Sequence, residues 1–297
     1  MKILITGSNG FIGKNIKEHF QTKFNEIFAP KRDELNLLNR NAVESYIKKN
    51  NFDVIIHCCV TLTSIEENLE MYFNIERLSD LFGKLICIGS GAEFDGKNYL
   101  PKMSEDYFNK YIPLKSDIYG YSKYEIAKDI LKKKRNIYNL RVFGIFGKYE
   151  DYLYKFISNT IIKQLLSVPI ILNQNARYHY LHIEDLCRII EELIKVRPVD
   201  KIINVTPKDK IELVNIIKII QKLIPNNNSV KIIKKGFGKE YTVSNEELLK
   251  FYNSFTTPEK SILELIKFYK NKLSVIKKSL YKIKKDNFLK YAKTINR

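Results

Sequence analysis

Residues 2–13 read Lys2-Ile3-Leu4-Ile5-Thr6-Gly7-Ser8-Asn9-Gly10-Phe11-Ile12-Gly13. The apolar run from Ile3 to Ile5 is too short for a helix and is typical of a strand buried on both faces. Three glycines follow it, and a helical pattern comes next. The apolar side of that helix is formed by Phe11, Ile12, Ile16 and Phe20.

This order of strand, glycines and helix predicts a dinucleotide-binding loop. Glycine permits a tight turn and a close approach to a diphosphate, whose charge the positive end of the helix favours. A glycine-rich loop alone is weak evidence, but one placed between a buried strand and a helix is specific. The run is also too short and too interrupted for a signal peptide. The predicted cofactor contacts in this loop are Gly7, Asn9, Gly10, Phe11, Ile12 and Gly13.

The following sequence alternates between short apolar runs and helical patterns. Residues 27–29, 53–59 and 84–90 predict further buried strands, and residues 65–81 predict a helix between the last two. This alternation predicts an α/β fold with a doubly wound parallel sheet, whose ligands collect at the carboxyl ends of the strands. Ser90 lies at such an end, so it is either a site residue or a serine that caps a loop.

The residues after the second predicted strand bear on the choice of cofactor. An acidic residue at that point favours NAD, whereas arginine accommodates the 2′-phosphate of NADP. Lys31 and Arg32 come first, and Asp33 competes with them. A guanidinium can form a bidentate contact with phosphate, so we expect NADPH rather than NADH. The alternative is a charged loop that contacts only solvent, which would have the same composition.

Tyr119 and Lys123 are four residues apart in a segment with a helical pattern. Residues at this spacing lie on one helix face, where an ammonium stabilises a phenolate. The chain has 19 Tyr, so the spacing also arises by chance. It gains weight from the glycine loop and Ser90 upstream, which together predict a site for proton transfer to a reacting oxygen.

The cysteines and histidines do not predict a metal site. The four Cys and four His are scattered, without the spacing of zinc ligands. Cys58 and Cys59 are adjacent at the end of a predicted strand, where they either line the cofactor or pack in the core. Nothing indicates disulfides, so we expect a cytoplasmic protein.

The motifs Gly7-x-x-Gly10-x-x-Gly13, Ser90 and Tyr119-x-x-x-Lys123 together resemble the extended short-chain dehydrogenase/reductase family of the NAD-dependent epimerase/dehydratase type. Residues 32–38 are similar to GDP-L-fucose synthases and, less closely, to dTDP-4-dehydrorhamnose reductases. Segments that resemble later motifs of the family are 139–147, 177–186 and 202–205.

This resemblance implies a Rossmann domain followed by a smaller substrate-binding lobe. We place the NADP-binding domain at residues 1–150, completed by about 177–206. The substrate lobe would comprise residues 151–176 and 207–270. A basic amphipathic extension would follow at residues 271–297.

The resemblance also implies roles for individual residues. Tyr119 would donate a proton to the sugar carbonyl, Ser90 would hold that carbonyl, and Lys123 would assist Tyr119 and contact the nicotinamide ribose. Arg177 would bind the diphosphate of the sugar nucleotide, unless it forms a salt bridge instead. The implied substrate-binding residues are Ser90, Gly91, Ala92 and Arg177.

Position 92 bears on the type of reaction. GDP-fucose synthases epimerise with a cysteine two residues beyond the serine, whereas this chain has Ala92, which cannot exchange protons. We therefore expect an NADPH-dependent reductase of the C4 keto group of a nucleotide-linked 6-deoxy-4-keto sugar, in surface-glycan biosynthesis. An NAD-dependent C4 epimerase and a non-catalytic NADP-binding protein are the alternatives. We expect a homodimer for each of these functions.

The charge of the chain is the remaining unusual feature. The formal net charge is +18, but the lysines are spread along the whole chain, so we expect no nucleic-acid partner. Residues 271–297 carry nine Lys or Arg against Asp286 alone. The predicted helix there either packs on its own domain or on a partner subunit, attaches peripherally to an anionic membrane, or is disordered. Its apolar face would comprise Leu273, Ile276, Leu280 and Ile283.

Overall fold

The computed structural model describes residues 1–108, 110–133 and 135–290. The strands are β1 (Lys2–Thr6), β2 (Glu26–Phe28), β3 (Val54–His57), β4 (Lys84–Ser90), β5 (Ile137–Val142), β6 (Gly144–Phe146), β7 (Ile170–Asn175), β8 (Arg177–Tyr178), β9 (Tyr180–His182), β10 (Ile202–Val205), β11 (Ile211–Glu212) and β12 (Val230–Phe237). The helices are α1 (Phe11–Gln21), α2 (Arg40–Asn50), α3 (Ile65–Glu76), α4 (Ile118–Leu131), α5 (Phe156–Leu165), α6 (Ile183–Lys195), α7 (Leu213–Leu223), α8 (Glu246–Leu249), α9 (Pro258–Lys270), α10 (Leu273–Lys277) and α11 (Leu280–Lys284). Short 3-10 turns cover Gly91–Glu93 and Glu105–Tyr107.

The chain forms two compact units. Unit 1 comprises Met1–Phe143, Glu184–Thr206 and Val243–Asn253. Unit 2 comprises Gly144–Ile183, Pro207–Thr242 and the chain from Ser254 onward.

These limits differ from the predicted domain limits at residues 144–150, 177–183 and 243–253, and the described part of the predicted C-terminal extension clusters with unit 2. Residues 144–150 cluster with unit 2 because β6 pairs with β9 rather than with the large sheet. Residues 243–253 cluster with unit 1, where the amide of Asn204 on β10 donates a hydrogen bond to the carbonyl of Ser244. Single side-chain contacts of this kind leave no periodic pattern in the sequence.

Unit 1 is built on a six-stranded parallel sheet in the order β10-β5-β4-β3-β1-β2. Ile3, Ile5, Ile55 and Ile56 are fully buried, which shows that helices cover both faces of the sheet. The predicted α/β fold with a doubly wound parallel sheet is thereby confirmed. Helices α2, α3 and α4 pack on one face through Val43, Ile47, Met71, Tyr72, Ile75, Ile126 and Ile130.

Unit 2 has a helical core flanked by short paired strands. β7 pairs with β12, β6 pairs with β9, and β8 pairs antiparallel with β11. Helices α5, α7 and α9 supply most of the core, which includes Ile161, Ile162, Ile216, Ile217, Ile220, Ile262, Leu265 and Ile266.

The C-terminal segment packs on the core of unit 2 as two short helices. Ile276 of α10 and Ile283 of α11 are buried in this core, as the predicted apolar face requires. Leu280 packs against the core from a partly exposed position, whereas Leu273 is not among the residues of this core. The predicted single helix is thus interrupted. Residues 291–297 of the predicted extension lie outside the described residues.

No helix among the residues that the structure describes is long and apolar enough to cross a membrane.

Candidate active site

The glycine-rich loop is held by direct contacts between backbone segments. Gly7 has φ +68°, in the left-handed region that favours glycine. A Cβ atom on Gly7 would lie 2.7 Å from the backbone nitrogen of Cys59, and one on Gly13 would lie 2.3 Å from the carbonyl oxygen of Gly7. The loop therefore packs against the residues after β3 and against the first turn of α1. A side chain at Gly7 or Gly13 would push these backbone segments apart.

The loop ends at the N-terminus of α1, which no side chain caps. Gly10 is the residue before the helix, and its backbone N–H donates to the carbonyl of Gly7 over 3.0 Å. The next amides at the helix start have no partner within the helix, and they lie at the positive end of its dipole. These are the properties of a phosphate-binding helix terminus.

A cavity of about 240 Å³ lies beside this loop in unit 1. Six of the predicted cofactor contacts line it: Gly7, Asn9, Gly10, Lys31, Arg32 and Cys59. Gly13 does not line the cavity, but it packs against Gly7, which does. The other predicted cofactor contacts are not among the lining residues: Phe11, Ile12, Cys58, Tyr119 and Lys123.

Several lining residues were not predicted from the sequence. The segment 35–38 forms one wall, and the carbonyl of Leu37 accepts a hydrogen bond from the buried amide of Asn74 on α3. Val60, Thr61 and other residues on or near α3 form more of the lining. An apolar loop of this kind has no periodic pattern, so only its position after the second strand could have indicated its role. The lining residues that were missed are Thr6, Ser8, Pro30, Leu35, Asn36, Leu37, Leu38, Val60, Thr61, Glu67 and Met71.

The loop after β2 presents its basic side chains at this cavity. Ser8 donates a hydrogen bond to the carbonyl of Ala29 over 3.2 Å, which joins the glycine loop to this second loop. The backbone N–H of Lys31 donates to the carboxylate of Glu34 over 2.7 Å. In the described part of the chain, no carboxylate lies within salt-bridge distance of the Arg32 guanidinium, which leaves its donors available.

Tyr119 and Lys123 lie on the first turns of α4, as the spacing predicted. Lys123 is buried, and its ammonium donates a hydrogen bond to the carbonyl of Ile88 on β4 over 2.7 Å. The same ammonium lies 5.9 Å from the centre of the half-buried Tyr119 ring. The lysine is therefore anchored to the sheet, with its charge beside the phenol.

Gly120 brings the start of α4 close to the turn that follows β4. A Cβ atom on Gly120 would lie 2.7 Å from the carbonyl oxygen of Ala92, two residues beyond Ser90. Asp117 caps the helix by accepting the Gly120 N–H over 2.9 Å. Tyr119 is thus held next to the Ser90 turn because its neighbour has no side chain.

Ser90 ends β4 and begins the 3-10 turn Gly91–Glu93. Its hydroxyl oxygen accepts the backbone N–H of Ala92 over 3.2 Å, while its own N–H donates to the carboxylate of Glu93 over 2.8 Å. Since the hydroxyl accepts this bond, its proton remains available for another acceptor. Glu93 is almost completely buried, and it was not predicted as part of the site.

The Glu93 carboxylate is held by a buried polar network. Arg141 donates from Nε to Glu93 over 2.7 Å, and both side chains are fully buried. Asn139, two residues earlier on β5, donates to both carboxylate oxygens at 3.0 and 3.1 Å. Gly89 makes room for this network, because a Cβ atom there would lie 2.4 Å from the Glu93 carboxylate. Arg141 therefore has a structural position, in agreement with its location in an apolar run.

A second network joins α4 to the cofactor cavity. The buried side chain of Asn68 accepts the Thr61 N–H over 2.7 Å and donates to the Thr61 carbonyl over 2.9 Å. It also donates to the hydroxyl of Ser122 over 3.1 Å. Ser122 lies between Tyr119 and Lys123, so Asn68 fixes the spacing between this helix and a wall of the cavity.

The titratable groups near Lys123 on the strands are neutral at neutral pH. Burial, assisted by the charge of Lys123, lowers the pKa of His57 to about 3. Burial raises the pKa of the Cys58 and Cys87 thiols to about 12 each and also raises that of Cys59. None of these groups is an ionised nucleophile or a base near pH 7, which leaves Tyr119 as the best-placed proton donor.

Arg177 lies in unit 2, whereas the other predicted site residues lie in unit 1. Its guanidinium Nε is 3.4 Å from the Glu212 carboxylate, and its Cζ atom is 4.2 Å from the centre of the Phe237 ring. The side chain remains 40% exposed, so part of its hydrogen-bonding capacity faces solvent. The structure therefore contains the predicted alternative, a salt bridge, without enclosing the guanidinium.

Together, the parallel sheet and the glycine-rich loop at the uncapped start of α1 define a dinucleotide-binding α/β protein, and Ser90, Tyr119 and Lys123 lie in the same unit. Residues 3–206 match the model of the NAD dependent epimerase/dehydratase family. The chain belongs to this family, and the resemblance inferred from its motifs is confirmed.

Individual relatives match over shorter or more divergent stretches. GDP-L-colitose synthase of Yersinia pseudotuberculosis is 38% identical over 69 residues, which are 23% of this chain and 22% of that protein. Methionine adenosyltransferase 2 subunit beta of Bos taurus is 29% identical over 167 residues, 50% of this chain and 48% of that protein. The chain thus spans about half or less of the length of these two relatives.

A solved structure resembles nearly the whole chain. The GDP-mannoheptose C4 reductase MlghC of Campylobacter jejuni, with NADP bound, has a TM-score of 0.77 at 18% identity. The match covers 91% of this chain and 98% of that one. At this identity the likeness demonstrates a shared fold.

Replacing Glu93 tests the buried network. In Glu93→Gln the shape is retained but the charge is lost, so the buried Arg141 loses its hydrogen-bonded counter-ion. We expect the free energy of unfolding, measured by urea denaturation, to fall by about 3–5 kcal/mol. Asp80→Asn is the control, because it breaks an exposed ion pair with Arg135. That change should cost less than about 1 kcal/mol. Equal losses in both variants would contradict a special role for the Glu93 network.

Proposed function

We propose that the chain is an NADPH-dependent reductase of the C4 keto group of a nucleotide-linked 6-deoxy-4-keto sugar. The observation that carries this proposal is the meeting of α4 with the Ser90 turn, where Gly120 approaches Ala92 and places Tyr119 and Lys123 beside Ser90. Two of the similar proteins, a GDP-mannoheptose C4 reductase and a GDP-L-colitose synthase, support nucleotide sugars as substrates. We place the activity in surface-glycan biosynthesis in the cytoplasm, where free cysteines such as these four persist.

The residues of the cavity fit a nicotinamide dinucleotide. The diphosphate would be held by the uncapped start of α1, where Gly7 and Gly13 leave no Cβ in the way. Lys31 and Arg32 would hold the adenosine ribose and its 2′-phosphate, and Lys123 the nicotinamide ribose. When bound, the cofactor supplies a hydride.

The chain's own groups supply the proton and the orientation. Negative charge develops on the carbonyl oxygen during reduction, and Tyr119 donates its phenolic proton to that oxygen. The Ser90 hydroxyl donates a hydrogen bond to the same oxygen, because the bond that it accepts from the Ala92 N–H does not use its proton. Lys123 stabilises the phenolate that forms. A positioned acid of this kind contributes roughly 10²–10⁴-fold to the rate.

Two observations support the type of reaction and the polyanionic substrate. Ala92 offers no group that exchanges a proton at carbon, which favours simple reduction over epimerisation by that route. Arg177 is partly exposed, and we assign it to the substrate diphosphate. Binding of the diphosphate would replace part of the contact between Arg177 and Glu212. The names of the relatives make GDP-linked 4-keto sugars the first substrates to test.

A non-catalytic role is the second candidate, since one relative is named as a subunit, methionine adenosyltransferase 2 subunit beta. An NAD-dependent C4 epimerase is the other alternative. The nucleotide that co-purifies with the chain separates these functions from reduction. Tightly retained NAD supports the epimerase, whereas NADPH that binds without turnover of any GDP-, CDP-, dTDP- or UDP-linked 4-keto sugar supports the non-catalytic role.

The Tyr119→Phe variant tests the proton donor. It removes one hydroxyl and leaves the ring beside Lys123, so turnover should fall by roughly 10²-fold or more. NADPH affinity, measured by fluorescence titration, should stay near that of the parent chain. Tyr121→Phe, at a partly exposed position of the same helix, is the matched control and should retain activity. Retained turnover in Tyr119→Phe would rule out this assignment.

The Arg32→Ala variant tests the choice of cofactor. Loss of a charge-assisted contact with the 2′-phosphate should weaken NADPH binding by roughly tenfold and leave NADH binding nearly unchanged. Asp33→Ala is the control from the same loop and should not weaken NADPH. An equal loss of affinity for both cofactors would refute the 2′-phosphate contact.

We also propose that the chain forms a homodimer through the exposed faces of α3 and α4. Phe73 is 41% exposed and Leu131 is 46% exposed, and a shallow cavity beside Phe73 is lined by both helices. Light scattering should give about twice the chain mass of 35.0 kDa. The Phe73→Lys variant should be monomeric, because it places a charge in the contact. A dimer that persists unchanged in this variant would place the interface elsewhere.

A further inference from the structure

The end of unit 2 carries a dense group of exposed lysines, which we call the lysine surface. It extends from the end of α9 through α10 and α11, over residues 270–290. The only acidic residue in this range is Asp286, and there is no arginine. The exposed lysines of the surface are Lys270, Lys272, Lys277, Lys278, Lys282, Lys284, Lys285 and Lys290.

This segment has a fixed orientation on unit 2. Ile276 and Ile283 point into the core, where they are 5% and 1% exposed. The Asp286 carboxylate accepts a hydrogen bond from the buried Lys163 ammonium over 2.6 Å. Apolar anchors and a buried ion pair thus hold one side of the segment down, and the lysines face outward.

The charge of the lysine surface is not neutralised within the chain. Asp286 is engaged by Lys163, and within the described ranges no other carboxylate lies within salt-bridge distance of these lysines. Val275 and Tyr281 stand among them, 66% and 58% exposed. A folded segment that repels itself electrostatically and leaves an aromatic ring in water is suited to an external anionic partner.

We propose that the lysine surface binds the headgroups of an anionic lipid bilayer, an interaction that goes beyond the proposed function. Clusters of four to eight basic residues are attracted to anionic leaflets by charge alone. Lysine suits this role as a point charge, whereas recognition of nucleic-acid phosphates and bases favours the forked guanidinium of arginine, which is missing here. Tyr281 and Val275 would sit among the headgroups. Because Ile276 and Ile283 are used in the core, binding occurs without insertion of an amphipathic helix.

Co-sedimentation of the full chain with lipid vesicles tests this proposal. The chain should bind phosphatidylcholine vesicles that contain phosphatidylserine, should not bind vesicles of phosphatidylcholine alone, and should dissociate at high salt. Combined replacement of Lys277, Lys278, Lys284 and Lys285 by Gln should weaken binding by at least about tenfold.

The matched control replaces four exposed lysines elsewhere by Gln: Lys49, Lys208, Lys222 and Lys239. This variant has the same net charge and should bind as the parent chain does. Equal weakening in both variants would show a general charge effect and overturn the proposal, as would undiminished binding in the first variant. A duplex DNA that competes better than anionic vesicles for the parent chain, and depends on the same four lysines, would overturn it in favour of nucleic acid. Turnover of a 4-keto sugar by soluble enzyme is measured separately, so either proposal can fail alone.

Discussion

The buried ion pair between Glu93 and Arg141 is the constraint on which the arrangement of the candidate site depends. Two charges without solvent contact are stable only when nearly every lone pair and N–H has a partner. Glu93 meets this condition by accepting bonds from Arg141, Asn139 and the Ser90 backbone. Arg141 donates from Nη1 to Asn204 of β10 as well. The pair therefore ties the turn after β4 to two further strands, and the position of Ser90 follows from it.

The second constraint is the close approach of backbone segments at glycine. Gly7 and Gly13 let the first loop pack on α1, and Gly120 lets α4 pack on the Ser90 turn. Each contact removes the space for a side chain, so each determines a distance that the chemistry requires. Asn68 extends this order to the cavity wall through Thr61 and Ser122. The cofactor cavity and the turn of α4 that carries Tyr119 and Lys123 are thus parts of one packed structure in unit 1.

The predictions succeeded where the signal is local and periodic. The apolar run that predicted a strand at 84–90 matches β4, because the interior of a strand buried on both faces is largely apolar. The shared helix face of Tyr119 and Lys123 was also predicted, because a spacing of four residues is a local signal. Glu93 was missed, since a lone glutamate in a loop normally faces water, and only its partners on β5 show that it is buried.

The amino-acid sequence alone determined the parallel α/β fold, the glycine-rich loop and the shared helix face of Tyr119 and Lys123, because these depend on residue type and short-range spacing. The tertiary structure alone decided that Arg141 and Glu93 form one buried pair and that residues 243–253 join the first unit. It also decided that the apolar side of the C-terminal segment is used in a core. These outcomes depend on contacts between residues far apart in the chain, whose energies arise only when the elements pack, so no local pattern encodes them.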